Sequence, residues 1–306
     1  MRASRGQVYY DRQAGGFQRE PVYAGAFLCW SHNTWVGRAA TWLMLRQPLV
    51  SRCYGWWNRR RWSRRRIKPF AAAMKIRIGE SLRPLSEFDS FSDFFIRRID
   101  LRCRPVARDP AICVAPADGK ALAYPTVRRD QTFHVKGAVF SLDTFLRDSA
   151  LAEHFDGGSM LIVRLHLADY HHFHFPAAAI PSAARLIEGK LHTVGPYALR
   201  WPAVFYRENR RSITRLKTLG FGTIAMVEIG AFTVGSIRQC HAPGKAAAKG
   251  AHKGYFEMGG STVVLLFERG AVRLDDDLCE RTRREIETMV RVGEPIGRCN
   301  RNGRHA

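Results

Sequence analysis

The chain has 306 residues, of which 46% are hydrophobic, and a formal net charge of +22. This length allows a full hydrophobic core, either as one large domain or as one domain with a sizeable appendage. The seven cysteines include no C-x-x-C pair, which argues against a disulfide framework or a zinc ribbon and favours a reducing compartment. No apolar run reaches the roughly 20 residues of a spanning helix, and the N-terminus lacks the apolar stretch of a secretory signal.

The basic excess is concentrated in the first third of the chain. Residues 1–104 hold most of the surplus Arg and Lys, and every tryptophan except Trp201. Residues 33–46 have helical apolar periodicity, with Asn33 or Thr34 as the N-cap, and residues 54–66 are rich in Trp and Arg. Indole rings favour the lipid headgroup level, and arginines are attracted to anionic lipid. We predict a helical membrane-associating region over 1–104; a helical subdomain with a solvated basic face and a nucleic-acid-binding surface are the alternatives.

The pattern changes along the rest of the chain. Residues 69–104 indicate two short helices, and Asp89 or Ser90 is expected to cap the second. From residue 110 onward, short β-rich runs are separated by Gly and Pro, at 161–167, 184–192, 203–206, 223–229, 232–237 and 262–268. Residues 276–292 indicate a late helix. Strand-rich sequence without β-α-β alternation predicts an α+β protein, with a β-rich catalytic domain over 105–306 after the helical region.

A Gly-Gly-Ser-Thr string at 259–262 leads directly into an apolar run. Glycine adopts backbone angles closed to other residues, and no side chain crowds the peptide bond before Ser261. The Ser261 hydroxyl could attack the carbonyl of Gly260. Ester formation and β-elimination would then cut the chain and leave a pyruvoyl group, an electrophilic ketone. Such a string by itself is more often a turn that enters a strand.

A cut at Ser261 requires a base for the hydroxyl proton and an acid that orients the base. Histidine is the side chain best suited to accept and return a proton near neutrality, and four lie close together: His166, His171, His172 and His174. Asp118, beside a proline and a glycine that suggest a tight turn, is the candidate acid, although an Asx-turn without a chemical role is commoner. A metal site is the competing interpretation of the histidines, but no Cys or Glu stands nearby to complete a zinc set. No metal is predicted.

Three strings together resemble the signatures of the phosphatidylserine decarboxylase family and occur in the family's order. They are Pro-Ala-Asp-Gly-Lys at 116–120, Asp-Tyr-His-x-Phe-His at 169–174 and Gly-Gly-Ser-Thr at 259–262. Further strings, such as Phe-Phe-Ile-Arg-Arg at 94–98, extend the resemblance over roughly residues 50–270. Two positions depart from the pattern: His172 stands where the family usually has Arg, and His252 where an acidic residue is common. Many members have Leu-Gly-Ser-Thr at the cleavage motif, and the change here keeps the Gly-Ser bond.

The resemblance implies decarboxylation of phosphatidylserine to phosphatidylethanolamine and CO2, through a Schiff base to a pyruvoyl group made by self-cleavage between Gly260 and Ser261. It also implies that Asp118, His174 and Ser261 carry out the cleavage, and that His171 handles protons during decarboxylation. The expected partners are phosphatidylserine in an anionic membrane and, for each other, a β chain of 1–260 and an α chain of 261–306. A homodimer is left open, and no nucleic acid is expected.

The expected location is the cytoplasmic face of a bacterial cell membrane, with peripheral attachment, and an organellar inner membrane is the alternative.

Two rival functions remain. A soluble pyruvoyl-dependent amino-acid decarboxylase shares the cleavage chemistry but has no use for the membrane-associating region. A relative that is catalytically degenerate at His172 and His252 keeps the motifs without the activity. A nucleic-acid-binding protein leaves Asp118, the histidines and Ser261 unexplained.

Overall fold

The computed structural model describes residues 6–22, 34–35, 48–135, 138–189, 210–230, 237–258 and 261–300. These residues form an α+β protein in which strands predominate, in agreement with the predicted class. The strands are β1 (Val8–Asp11), β2 (Gly16–Arg19), β3 (Ile112–Val114), β4 (Gly119–Val127), β5 (Phe133–Val135), β6 (Ala138–Phe140), β7 (Gly158–Leu165), β8 (His172–His174), β9 (Ala179–Pro181), β10 (Arg185–Ile187), β11 (Arg211–Thr218), β12 (Thr223–Ile229), β13 (Ile237–Gln239), β14 (His252–Phe256), β15 (Ser261–Phe267), β16 (Val272–Leu274), β17 (Glu287–Val290) and β18 (Pro295–Cys299).

The helices are short. The α-helices are α1 (Pro48–Asn58), α2 (Ile67–Ala73), α3 (Phe91–Phe95), α4 (Leu142–Leu146), α5 (Ser149–His154) and α6 (Asp276–Arg283), and 3-10 turns include Arg61–Arg66. The side chain of Ser90 accepts a hydrogen bond from Asp93 N at the start of α3, which confirms the predicted cap. None of the helices in the described ranges is long and apolar enough to cross a bilayer.

One large sheet organises the molecule. Nine of its ten strands run in the order β10-β11-β12-β15-β7-β4-β17-β1-β2, and the tenth, β9, pairs with β11. Two three-stranded sheets, β13-β14-β8 and β16-β18-β3, and the hairpin β5-β6 accompany it. The strands predicted at 161–167, 223–229 and 262–268 are confirmed as β7, β12 and β15, with small shifts of their ends. The predicted run at 203–206 and most of that at 232–237 lie outside the described residues.

The centre of the large sheet is buried on both faces, because alternate residues of a strand point to opposite sides. Leu161 and Val263 belong to one buried apolar cluster, and Ile162 and Val264 belong to another. All seven residues of β15 are buried. Burying one such apolar side chain stabilises the fold by about 1.5–3 kcal/mol, so β15, which begins at Ser261, has a firmly fixed position.

An aromatic cluster joins the helical region to the segment before Ser261. Phe70, Phe91 and Phe94 pack edge to face, and Met258 belongs to the same buried cluster. Edge-to-face aromatic pairs stabilise by roughly 0.5–1.5 kcal/mol beyond their burial. The helices α2 and α3 therefore support the approach to the predicted cleavage site.

The start of the chain differs from the predicted helical region. Strands β1 and β2 form an antiparallel hairpin, and β1 pairs in parallel with β17 at the edge of the large sheet. Buried Glu20 holds the hairpin through Arg164 Nη2 at 2.9 Å. These residues form strands because β17, which is distant in sequence, provides a sheet edge with which β1 can pair. Local sequence periodicity does not reveal such a partner. The predicted helix over 33–46 lies outside the described residues except for Thr34 and Trp35, and the domain boundary at 104 stays a prediction.

The late helix predicted over 276–292 is also shorter than expected. Helix α6 ends at Arg283, and Glu285 adopts a left-handed backbone conformation with a φ of 58°, which is a common way to terminate a helix. The next residues form β17, which pairs with β4 on one side and β1 on the other. Backbone hydrogen bonds to two neighbouring strands therefore outweigh the local helical pattern.

Candidate active site

Ser261 is the first residue of β15, and it is 1% exposed. Its backbone lies opposite Leu165, the last residue of β7. Its Oγ has no hydrogen-bond partner among the described residues, whereas buried hydroxyl groups are ordinarily hydrogen-bonded because leaving one unpaired costs about 1–3 kcal/mol. Such a hydroxyl is available for chemistry. Gly259 and Gly260, on the other side of the predicted cut, lie outside the described residues.

The histidine-rich string lies beside the segment that leads to Ser261. It enters β8, and β8 pairs with β14, so that His172 lies opposite Tyr255. Phe256 N donates a hydrogen bond to His171 O at 2.9 Å. Strand β14 ends at Phe256, shortly before β15 begins at Ser261. The strand register therefore brings His171 and Ser261 into the same part of the molecule.

His171 is fully buried, and its ring centroid lies 4.0 Å from that of Phe95. Its Nδ1 lies 2.9 Å from Asp169 O, and a carbonyl only accepts, so Nδ1 carries the proton. Nε2 has no partner among the described residues. Burial lowers the pKa of His171 to about 3, because a charged imidazole is disfavoured away from water. The ring is thus neutral at pH 7, with a free acceptor nitrogen.

His174 is a second buried, neutral imidazole. Its Nδ1 lies 2.9 Å from Gly250 O, and its Nε2 lies 3.4 Å from the hydroxyl of Tyr170. Burial lowers the pKa of His174, and the charge of Asp118 partly opposes this effect. Because Nδ1 donates to a carbonyl, Nε2 is the nitrogen that can accept a proton.

Asp118 is held by Arg104 rather than by a histidine. Its carboxylate accepts hydrogen bonds from Arg104 Nε at 3.1 and 3.0 Å and from Arg104 Nη2 at 2.7 Å, and Oδ1 also accepts one from Val292 N at 2.9 Å. His174 N donates to the carbonyl of Pro116 at 2.7 Å, so the predicted acid and base are neighbours through this turn. No described hydrogen bond joins Asp118 to His174 or joins either of them to Ser261. Their roles in cleavage stay predictions.

The two positions that depart from the family pattern contact each other. His172 Nδ1 lies 2.8 Å from His252 Nε2, and His172 Nε2 lies 2.9 Å from Ile96 O. The His172 ring also stacks on Tyr170, with centroids 4.7 Å apart. Burial lowers the pKa of His172 to about 3 and that of His252 to about 4, so both are neutral at pH 7. A neutral hydrogen bond therefore joins the two positions where the family usually has Arg and often has an acidic residue.

A buried ion pair, not anticipated from the sequence, holds β14 against the large sheet. Lys253 Nζ lies 2.7 Å from Glu228 Oε1, 2.8 Å from Gln239 Oε1 and 3.0 Å from Thr214 Oγ1. Both charged side chains are fully buried. Burial lowers the pKa of Lys253 and raises that of Glu228, and their mutual attraction opposes both shifts. This network fixes the strand that leads to Ser261.

Two further residues near the histidines were missed. Tyr170 contacts His174, and Arg104 contacts Asp118; Tyr170 lies within the string at 169–174 that carries the family resemblance. Among the described residues, no group of three or more His, Cys, Asp or Glu side chains could hold a metal ion. The candidate residues are thus a buried hydroxyl, two neutral imidazoles and a carboxylate paired with arginine.

Comparison with known proteins identifies the family of the chain. The sequence model of the family described as phosphatidylserine decarboxylase matches residues 91–298. The chain is 41% identical over 291 residues to the phosphatidylserine decarboxylase proenzyme of Chlamydia muridarum, covering 95% of this chain and 97% of that protein. It is 38% identical over 293 residues to the proenzyme of Chlamydia pneumoniae, covering 96% and 97% of the two chains. The chain belongs to the phosphatidylserine decarboxylase family.

Proposed function

We propose that this chain is the precursor of an enzyme that decarboxylates phosphatidylserine to phosphatidylethanolamine, activated by self-cleavage between Gly260 and Ser261. The observation that carries the proposal is the buried Oγ of Ser261, which lacks a hydrogen-bond partner among the described residues and follows two glycines in a chain of this family. The relatives named above are described as proenzymes, which agrees with a chain that must be processed.

The cleavage chemistry requires little from the fold beyond a nucleophile and a proton acceptor. The Ser261 Oγ attacks the Gly260 carbonyl carbon, and the amide nitrogen leaves, which gives an ester. Loss of the Ser261 α proton breaks the Cβ–O bond and releases residues 1–260 with a new carboxylate. The remaining end is a dehydroalanine, which tautomerises to an imine; water adds to the imine and ammonia leaves, which gives a ketone at position 261. His174 Nε2 is the neutral nitrogen that we assign to accept the Ser261 proton.

The buried surroundings of Ser261 fit a pyruvoyl group. Such a group supplies an electrophilic ketone that takes up the substrate amine and receives the electron pair left by CO2. In this chain, β15 holds position 261 against β7, and the apolar burial of the strand excludes water. His171 Nε2, which is unpaired among the described residues, is the group that we assign to take a proton from the substrate amine and to return it to the substrate carbon.

Most of residues 56–65 are exposed and form a surface rich in tryptophan and arginine, which we propose as the membrane-facing surface. Trp56, Trp57 and Trp62 are 51%, 41% and 50% exposed, and the arginines between and after them, at 59–61 and at 64 and 65, are exposed as well. Indole rings at headgroup depth and arginines near anionic lipid suit peripheral attachment. We propose that this surface brings the site to its lipid substrate on the cytoplasmic face of the membrane. The six described cysteines are all free thiols, which agrees with the reducing conditions of the cytoplasm.

This surface disfavours a soluble amino-acid decarboxylase, which would not need it. The hydrogen bond between His172 and His252 also argues against a degenerate relative, because the two departures compensate each other instead of leaving one buried partner unpaired.

Intact mass spectrometry of the purified full-length chain tests the proposed cleavage. We expect two chains, residues 1–260 and 261–306, with the smaller one blocked to Edman sequencing. Ser261→Ala should stay uncut, because no hydroxyl is present to attack Gly260. Thr288→Val is the matched control: Thr288 is also a buried hydroxyl without a described partner in the large sheet, and its loss should leave cleavage intact. A wild-type chain that stays uncut after prolonged incubation would contradict the proposal.

The cut enzyme should then release CO2 from vesicles that contain phosphatidylserine and none from vesicles of phosphatidylcholine alone. Cleavage without CO2 release from phosphatidylserine would point to another amine substrate.

A further inference from the structure

A polar cavity of about 240 Å³ lies beside the candidate active site. Its walls come from the β1-β2 hairpin, from residues 74–80 and from the loop that precedes β8, and Asp118 and Tyr170 also line it. The cavity is smaller than the roughly 300–1,000 Å³ of pockets for drug-sized ligands. It therefore suits a small polar group rather than a whole lipid.

Arg97 is a buried cation in the wall of this cavity. It is 5% exposed, and its Nη2 donates to two backbone carbonyls, Ala168 O at 2.7 Å and Asp169 O at 3.3 Å. Its Nη1 has no hydrogen-bond partner among the described residues, and no described carboxylate forms an ion pair with it. Burial lowers the pKa of Arg97 to about 10, so the guanidinium is still charged at pH 7.

The acidic groups around Arg97 are bound to other cations. Asp169 pairs with Lys120 at 2.9 Å, and Glu80 and Asp118 each pair with Arg104 at 2.7 Å. These carboxylates affect the pKa of Arg97 only through longer-range attraction. The charge of Arg97 is thus left without a close counter-ion in the described part of the chain.

Two other residues that line the cavity have buried side-chain atoms without a described hydrogen-bond partner. Arg291 Nη1, which also lines the cavity, lacks a described hydrogen-bond partner, although Arg291 lies 3.7 Å from Asp11. Glu20 Oε2 is unpaired too, but Arg164 at 2.9 Å and Lys120 at 3.4 Å neutralise Glu20. A buried charge is costly unless it is paired, so an oxyanion is the ligand that this wall lacks.

We propose that Arg97 binds the phosphodiester of the phospholipid headgroup, with Nη1 as the donor; this inference rests on the proposed function. Arg97 Nη2 and His171 Nδ1 both lie within hydrogen-bond distance of Asp169 O, at 3.3 and 2.9 Å. An anion held at Arg97 is therefore next to the imidazole assigned to decarboxylation. Arginine is also the side chain best shaped to hold phosphate oxygens.

The phosphodiester fits Arg97 better than the headgroup carboxylate does. The carboxylate leaves as CO2, and a cation bound to it stabilises the substrate more than the transition state, in which its charge moves away. The phosphodiester keeps its charge from substrate to product. A fixed buried cation therefore assists binding without opposing the reaction.

Binding to the full-length Ser261→Ala chain tests this assignment, because without Ser261 no ketone forms and no turnover disturbs the measurement. Calorimetry with glycerophosphoserine, glycerophosphoethanolamine, serine and inorganic phosphate separates the sources of the oxyanion. Adding Arg97→Gln should weaken both glycerophosphodiesters by at least about tenfold, the scale of a charge-assisted hydrogen bond. Arg102→Gln is the matched control: Arg102 has a side chain that is 91% exposed, and both dissociation constants should be unchanged.

Two outcomes of these binding measurements would overturn the proposal. Weakening of glycerophosphoserine but not of glycerophosphoethanolamine would assign Arg97 to the carboxylate. Inorganic phosphate bound as tightly as the diesters would show a general anion site.

If the Arg97→Gln variant does not fold, the Arg97→Lys variant is used for the same binding measurements. It keeps the charge but loses the planar pair of donors, and unchanged diester binding in that variant would also overturn the assignment. Self-cleavage of the wild-type chain is read separately, so its failure would refute the proposed function without altering the binding result.

Discussion

At the scale of single residues, the two imidazoles near Ser261 differ in what they contact. His174 is hydrogen-bonded to the turn that carries Asp118 and to Tyr170, whereas His171, beside Phe95 and Asp169, has an Nε2 without a partner in the described part of the chain. His171 lies immediately before the short strand β8, and His174 is the last residue of that strand. Their surroundings therefore suit different steps, one in cleavage and one in decarboxylation.

We expect the two histidines to give separate phenotypes. His174→Ala should accumulate uncut precursor, because the Ser261 proton loses its acceptor. His171→Ala should still be cut but turn over phosphatidylserine on the order of 10²–10⁴-fold more slowly, the usual loss for a missing general acid or base. A gel for cleavage and a CO2-release assay for turnover measure both effects. If His174→Ala matures normally while His171→Ala stays uncut, the assigned roles are reversed.

A second residue-scale prediction concerns the hydrogen bond between His172 and His252. His252→Ala should lower the free energy of unfolding by about 1–3 kcal/mol, because it leaves His172 Nδ1 unpaired in a buried site. The double change His172→Ala/His252→Ala should cost less than the sum of the single changes. Urea unfolding measures each variant. His154→Ala, which removes a half-exposed histidine paired with Glu268, is the control and should change stability by less than about 1 kcal/mol. Strict additivity of the two single changes would show that the contact contributes nothing.

At the scale of elements, the N-terminal hairpin changes how the membrane-facing surface should be tested. Deleting residues 1–66 would remove not only the Trp-rich segment but also β1 and β2, which complete the edge of the large sheet and bury Glu20 against Arg164. Loss of membrane binding after such a deletion could then reflect unfolding. Point changes on the exposed face are the cleaner experiment.

The variant Trp56→Ser/Trp57→Ser/Trp62→Ser should lose most of its binding to vesicles that contain anionic lipid, because it lacks the indole rings that would be buried among the lipid headgroups. High salt should weaken the wild-type protein only partly, since it screens the arginines and leaves the tryptophans in place. Vesicle co-sedimentation measures both. Leu219→Ser is the control: Leu219 is a 96% exposed apolar residue elsewhere, and its loss should leave binding unchanged. Full binding by the triple variant would refute the assigned surface.

At the scale of the whole molecule, the neutral buried histidines link stability to pH. Burial holds the pKa of His171 near 3 instead of its ordinary 6.5, so below pH 6.5 the unfolded chain binds a proton that the folded chain does not. Stability is then fully present above pH 6.5 and is lost as the pH falls toward 3. His171 alone accounts for on the order of 2 kcal/mol between pH 6.5 and 5.

Urea unfolding at pH 7, 6 and 5 should therefore show a steady fall in the free energy of unfolding. His171→Gln should be less stable at pH 7 but show a shallower fall, because glutamine does not titrate. Equal stability of the wild-type protein at pH 7 and pH 5 would contradict the assignment of neutral buried imidazoles.

Local sequence patterns were enough to predict the α+β class and to single out Ser261 as the candidate cleavage residue. The Gly-Gly-Ser-Thr string, the histidine-rich string and the apolar runs of β7, β12 and β15 are local patterns, and each one reflects a local cause: glycine flexibility, proton affinity and burial on both faces of a sheet. These patterns also led to the family, which the comparisons confirm.

Features that depend on residues distant in sequence became visible in the folded chain alone. The hairpin of β1 and β2 exists because β17 offers a free edge, and the same pairing turns the end of the predicted late helix into a strand. Asp118 meets Arg104, and His172 meets His252, across gaps in sequence that no periodicity spans. The physical reason is that burial of the whole sheet fixes the register of its strands. The register in turn determines which polar side chains lie close enough to form hydrogen bonds with one another.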